Sequence, residues 1–175
     1  TYYAVMDIRH RHIDPKIEQY SARRRLSVLF LLFLVYTFSF IDRQILVILA
    51  EPIKAEFDLK DWELGFLMGT AFALFYATLG LPIARLADRW HRVNIIVIAL
   101  TLWSAMTALC AAANNFLQLA AARVGVGVGE AGGSPPAVSL ISSYFGREHL
   151  STAMGIYALG PTVGLLLGFI VGGWV

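Results

Sequence analysis

Arg123-Val-Gly-Val-Gly-Val-Gly-Glu-Ala-Gly-Gly-Ser-Pro-Pro136 lies inside a long apolar segment and yet carries an arginine and a glutamate. Read as a helix, the seven-residue interval between Arg123 and Glu130 returns both to nearly one face, with Gly127 and Ser134. On roughly the opposite side Ala121, Gly125, Gly129, Gly133 and Ala137 recur every four residues. A small-residue ridge of this kind lets another helix approach closely. The charged face is costly in hydrocarbon and marks a substrate or ion route.

Composition supplies the hydrocarbon. Apolar residues make up 58% of the 175-residue chain and charged residues only 15%, where a soluble domain carries roughly 25%. With apolar runs of about twenty residues, the chain falls in the membrane class. A lone cysteine, Cys110, excludes an internal disulfide and a multi-cysteine metal site, and reads as a small buried hydrophobe. The histidines at 10, 12, 91 and 149 fall in tails or loops, so no helical metal motif forms and no metal or cofactor is expected. A net charge of +2 gives no footing for nucleic acid.

Residues 1–25 are polar, mixed in charge, and end in Arg23-Arg24-Arg25, which reads as a basic tail before the membrane. The apolar run 26–50, interrupted only by Asp42 and Arg43, is too long for a signal peptide's apolar core and lacks a small-x-small cleavage site. Further spans are expected at about 62–84, 93–113, 116–144 and 151–175, the fourth bent or broken near 132–136. The stretch 51–63 reads as a loop with five acids against Lys54 and Lys60, and Ser151 as the N-cap of the fifth span. Small-residue ridges recur at Gly65, Gly69, Ala73 and Ala77, at Ser104, Ala108 and Ala112, and at Gly160, Gly164, Gly168 and Gly172. Basic residues gather in the tail (Arg23 to Arg25), the second connection (Arg85, Arg89, Arg92) and the fourth (Arg147), while the Asn114-Asn115 turn has none. The positive-inside bias places the N-terminus and those two connections in the cytoplasm.

Of all charges, Asp42, Arg43, Arg123 and Glu130 lie well inside predicted spans. At ~1.5 Å per residue, Asp42 is ~24 Å from the cytoplasmic end, while Arg123 and Glu130 are ~10 Å and ~20 Å below the outer surface. Asp42, Arg43 and Arg123 then share a depth, with Glu130 nearer the midplane. Adjacent Asp42 and Arg43 cannot share one helix face, so at least one needs a partner on another helix, and Arg123 suits Asp42. Either the four charges fix helix packing, or a carboxyl among them exchanges protons beside an arginine that tunes it or holds an anion. A route for solutes would leave Glu130 open to a water-filled cavity, whereas a scaffold would seal it. Tyr36, Phe40, Phe72, Tyr76 and Trp103 either line a lipid-sized cavity or simply pack. Gly127-Val-Gly-Glu-Ala-Gly132 fits a dinucleotide fingerprint, but prolines stand where its helix should begin and no strand–helix alternation surrounds it. No Ser/His/Asp set, metal-ligand group or carboxylate pair is placed for catalysis, so no enzyme is expected.

Ala84-Arg-Leu-Ala-Asp-Arg-Trp-His-Arg92 resembles the Gly-x-Leu-Ala-Asp-Arg-x-Gly-Arg signature of the major facilitator superfamily, with Ala84 and His91 in place of glycines. Arg123-Val-Gly-Val-Gly127 resembles its fourth-helix signature, and Gly160-Pro-Thr-Val-Gly164 the glycine-proline motif of its fifth. Phe40-Ile-Asp-Arg43 and Gly127-Val-Gly-Glu-Ala131 narrow the likeness to Spinster-like proteins.

That resemblance implies an all-α membrane protein: a major facilitator N-terminal bundle with five of an expected twelve spans, whose missing C-terminal half supplies the other wall of the pathway. It implies secondary, proton-coupled export of lysolipid or sphingoid-phosphate-like amphiphiles by alternating access in a bacterial inner membrane. Asp42, Arg43, Arg123 and Glu130 would line the cavity, Asp88, Arg89 and Arg92 would form the cytoplasmic gate, and Gly160, Pro161 and Gly164 the fifth-helix motif. Protons, a small amphiphile and membrane lipid are then the partners, and the chain alone should not transport. Transport of a small organic anion or drug, and a non-transporting scaffold, stay open beside that reading.

Overall fold

A computed structural model describes residues 20–172, except the side chains of residues 71, 72, 81, 84 and 86–89. The residues before 20 and after 172 lie outside the described residues. Among the described residues every regular element is helical: α1 (Ala22–Ile48), α2 (Ala50–Glu56), α3 (Asp61–Gly65), a π-helical stretch (Phe66–Thr70), α4 (Ala71–Arg89), α5 (Arg92–Ala111), α6 (Phe116–Ala131), α7 (Ser134–Tyr144) and α8 (Arg147–Gly172). α1, the run Asp61–Gly80, α5 and α8 are each long and apolar enough to cross a membrane. Between α5 and α8 the chain forms two shorter helices, α6 and α7, separated at Gly132 and Gly133. Prolines cannot donate within a helix, and Pro135 and Pro136 sit in the first turn of α7, where no donor is needed.

Several boundaries differ from the sequence expectation, each for a local reason. α1 starts inside the basic tail, because Ser21 caps it by accepting from the Arg24 N–H at 3.4 Å and arginine is a good helix former. The acidic stretch is not all loop. α2 forms there because Pro52 falls in its first turn, and Asp58, at φ 49°, then reverses the chain so that Leu59 N donates to Lys54 O at 3.0 Å. Lys54 pairs with Asp61 across this turn. The second pass runs on to Arg89, so most of the basic motif is the end of α4 and only Trp90 and His91 turn the chain. Ser151 is not a cap: α8 already begins at Arg147, one residue after extended Phe145, and Leu150 N donates to Gly146 O at 2.9 Å.

Two apolar clusters bracket the middle of the bundle. One joins Leu29 and Leu32 of α1, Ile96 of α5, Ala137 and Ile141 of α7, and Ala153 and Tyr157 of α8. The other, at the opposite end, joins Leu59, Leu67, Leu119 and Ala120, with Phe57, Phe66 and Phe116 against them. Asp42, Arg43, Arg123 and Glu130 fall between the two along their helices.

α1 packs chiefly on α8, and α6 lies against both α4 and α5. The α8 glycines make the first contact possible. A methyl at Gly164 would stand 2.5 Å from the Thr37 carbonyl oxygen and 2.7 Å from Phe40 Cβ, and Gly160, Gly168 and Gly172 meet Tyr36, Gln44 and Ile48 in the same register. On α6, Gly129 lets the Trp103 backbone approach, with a methyl there 2.7 Å from its nitrogen. The ridge continues at Gly132 against Ala99 rather than at Gly133, because the helix break shifts its phase. The ridges of the second and third passes have no such partner among the described residues. Gly65 and Gly69 have nothing within 4 Å of an added methyl, and Ala73, Ala77, Ser104, Ala108 and Ala112 are exposed.

A paired substitution on α8 tests this packing. Overpacking costs ~1–3 kcal/mol, so Gly164→Ala should lower the thermal unfolding midpoint of the detergent-solubilised protein. Gly155→Ala, where an added methyl meets nothing within 4 Å, should leave the midpoint unchanged or raise it.

Candidate functional site

The site is built from α1 and α6, with α4, α5 and α8 closing around them. α6 lies between two neighbours, so its charged face is buried as fully as its glycine ridge: Arg123 is 3% and Glu130 6% exposed. Both are answered from adjacent residues of α1. Arg123 Nη1 donates to Asp42 Oδ2 at 3.2 Å, which is the pairing that equal depth predicts. Arg43 donates from Nε to Glu130 Oε2 at 3.0 Å and from Nη2 to the same oxygen.

Depth alone did not reveal the second pair, since Glu130 was placed deeper than Arg43. Side-chain direction accounts for it. Helical side chains lean toward their own N-terminus, so on oppositely running helices Arg43 and Glu130 lean toward each other. The two α1 residues point about 100° apart, so α1 reaches α6 at two levels. The Asp42–Arg123 pair bridges the helices at one level and Arg43–Glu130 at the next.

The two pairs differ in access. Side-chain exposure is 4% for Arg123 and 15% for Asp42, but 30% for Arg43 against 2% for Glu130. Glu130 is therefore closed off on its Arg43 side, where the accessible charge is the arginine that covers it, and its opening is to a small pocket on the other side. The Arg43 guanidinium lies 4.8 Å from the Phe40 ring centre and 5.7 Å from that of Tyr76, within cation–π range. Phe40 stands three residues before Arg43, on the same helix face, and that spacing was a signal in the sequence. Glu130 Oε1, Arg123 Nε and Trp103 Nε1 are buried with no hydrogen-bond partner.

Of the expected cavity aromatics, Tyr36 stacks on Tyr157 with ring centres 4.7 Å apart and meets Phe40 edge-on at 5.5 Å. Tyr36 and Trp103 both line a pocket beside Glu130. The Phe72 side chain lies outside the described residues. So do those of Asp88 and Arg89, whose backbone is the end of α4. Arg92 opens α5 and donates from Nη1 to the Ser139 carbonyl on α7 at 3.2 Å. The structure thus brings Asp42, Arg43, Arg123 and Glu130 together and sets Arg92 apart from them. Gly160 and Gly164 lie behind the site, where α8 meets α1, and Pro161 between them carries no N–H for the helical carbonyl at Tyr157. Tyr157 and Ser139 went unnoticed in the sequence, where nothing distinguishes them from packing residues. Among the described residues no group of three or more His, Cys, Asp or Glu could hold a metal ion.

Comparison with known proteins now bears on this arrangement. The sequence profile of the Major Facilitator Superfamily matches residues 32–175. The chain belongs to the Major Facilitator Superfamily. Like the other members of this superfamily, it is a multi-pass membrane protein. It is Spinster-like within that superfamily. Protein spinster homolog 1 of Xenopus laevis is 29% identical over 154 residues, 87% of this chain and 29% of that protein. An MFS-type efflux pump of Mycolicibacterium smegmatis is 33% identical over 156 residues, 89% of this chain and 36% of the pump. A crystal structure of a bacterial homolog to the human lysosomal transporter Spinster, inward-facing and occupied, superposes with a TM-score of 0.85 at 45% identity, over 88% of this chain and 33% of that one. The chain spans about a third of the length of these relatives.

A double-mutant cycle tests whether the deeper-buried pair is a true coupling. Contacting charged residues couple by about 0.5–3 kcal/mol. In thermal unfolding, Asp42→Asn and Arg123→Gln should each destabilise, and the double variant should lose clearly less than their sum. Additive losses would mean that the two side chains do not act on each other.

Proposed function

We propose that the protein to which this chain belongs is a proton-coupled secondary transporter of an anionic amphiphile, with Asp42, Arg43, Arg123 and Glu130 as its coupling and binding group. The observation that carries this reading is the unequal pair of bridges: Asp42–Arg123 closed off, Arg43–Glu130 capped by a partly exposed arginine.

The difference in access gives the two pairs different work. Arg123 and Asp42 hold α1 to α6 and stay paired. When Glu130 takes up a proton it loses its charge, and the charge-assisted bonds from Arg43 weaken. Arg43 then turns its guanidinium to an anionic headgroup, which a planar fork of donors binds well. Phe40 and Tyr76, already against that guanidinium, offer apolar surface to the tail of an amphiphile. Loss of the proton restores the ion pair and expels the anion. Proton occupancy and substrate occupancy are thereby linked through one arginine.

The remaining parts follow the superfamily's plan. Alternating access needs a second half-bundle to form the other wall, here the C-terminal half of the same transporter. Asp88, Arg89 and Arg92 serve as the cytoplasmic gate, consistent with the Arg92 bond to α7. Gly160, Pro161 and Gly164 give α8 a close but deformable seat on α1. The positive-inside bias sets the N-terminus in the cytoplasm of a bacterial inner membrane. The Spinster likeness favours lysolipid or sphingoid-phosphate-like substrates. The Escherichia coli relative described as a probable L-galactonate transporter, 29% identical over 143 residues, supports a second reading in which the anion is small and polar.

The test uses the full-length transporter in proteoliposomes under an imposed proton gradient. Movement of lysophospholipid or sphingosine phosphate should follow the gradient and be lost in Glu130→Gln, with helical content retained. Equal movement in wild type and variant would remove Glu130 from coupling. Movement of galactonate and of no lipid would move the substrate to the small-anion reading.

A further inference from the structure

Glu130 has a second surface that the coupling scheme does not use. Oε2 takes both hydrogen bonds from Arg43, while Oε1 is buried without a protein partner. Glu130 also lines a pocket between α1, α5, the α6–α7 break and α8, which Arg43, Asp42 and Arg123 do not line. Polar side chains converge on it: Ser39 and Tyr36 from α1, Ser134 from α7, Tyr157 from α8 and Trp103 from α5. Trp103 is 9% exposed, and its Nε1, a donor only, is also buried without a partner.

Chemistry and size together name the ligand. An unanswered donor and an unanswered acceptor bordering one pocket each cost ~1–3 kcal/mol if left so. The pocket offers about 30 Å³ to the centres of water-sized molecules, and one water needs ~10–15 Å³ on that measure. That is room for roughly two or three waters. The break at Gly132 and Gly133 makes the room, because it sets Ser134 at the start of a new helix beside Glu130.

We propose that this pocket is a hydration site whose water bridges Trp103 Nε1 to Glu130 Oε1 and carries protons to that oxygen. It rests on the reading of Glu130 as the proton site and adds the route. The titratable and charged groups around Glu130 are Tyr36, Asp42 and Arg43 on α1, Tyr76 on α4, Arg123 on α6 and Tyr157 on α8. The water chain reaches Oε1 past the hydroxyls of Tyr36 and Tyr157, while Arg43 stays on Oε2. An excess proton from the aqueous side is relayed through the water to Oε1, the water being restored as it passes, the carboxyl becomes neutral, and Arg43 is released afterwards. Loading therefore precedes opening of the arginine side.

X-ray hydroxyl-radical footprinting of the full-length transporter in proteoliposomes reads the water directly. Trp103 and Tyr157 should be labelled although they are buried, and labelling should fall several-fold in Ser134→Val, which fills the pocket. Trp103→Phe, which keeps the ring and removes the donor, should lower labelling of Tyr157. Infrared hydrogen–deuterium exchange of the Glu130 carboxyl, followed at a pH low enough to protonate it, should slow several-fold in the same variants. Unlabelled Trp103 and Tyr157 in the wild type would overturn the hydration site. Exchange unchanged in Ser134→Val and Trp103→Phe would overturn the route. Neither result depends on transport: flux indifferent to Glu130→Gln would defeat the coupling reading and leave the footprint as it is.

Discussion

A charge in hydrocarbon persists only beside its opposite, and two adjacent residues of α1 supply the opposites for both charges of α6. Removing one member of a buried pair costs about 3–5 kcal/mol, comparable with much of the ~5–15 kcal/mol that holds a domain together. The two bridges therefore tie α1, which packs chiefly on α8, to α6 at two points. Two bridges, about 100° apart in direction on one helix, define a single arrangement.

The rest of the bundle accommodates that arrangement. For Asp42 and Arg43 to face α6, the other side of α1 must be covered, and α8 covers it through glycines spaced to admit Tyr36, Thr37, Phe40 and Gln44. For α6 to keep Arg123 and Glu130 buried, α5 must approach its back, and Gly129 admits the backbone of Trp103 there. Close packing and buried charge are thus one feature seen from two sides of a helix. The small-residue faces of the second and third passes lie outside this arrangement and find nothing among the described residues.

Much of this was legible in the sequence, and what was not has physical causes. Membrane class, the all-helical fold and the Arg123–Glu130 face followed from composition and helical periodicity, which report the solvent directly. Asp42–Arg123 followed from depth, because both residues stand at similar heights. Arg43–Glu130 did not, because a long arginine reaches along a helix axis and residue depth records only where its Cα stands. Helix ends were read less well. Ser151 looked like a cap, but Gly146 had already let the chain turn into α8. The stretch 51–63 looked like a loop, but Pro52 is a first-turn residue of α2. The stacking of Tyr36 on Tyr157 and the pocket beside Glu130 arise from tertiary packing, for which an aromatic at helical spacing gives no separate sign.

The central claim is that one arginine answers either Glu130 or a bound anion, with a proton making the exchange. Titration calorimetry of the full-length transporter, repeated in buffers of different ionisation enthalpy, counts the protons taken up as the amphiphile binds. The account predicts net proton uptake at a pH where Glu130 starts ionised, and its loss in Glu130→Gln with binding retained. Binding that takes up no proton in the wild type, or the same number in both proteins, would contradict it.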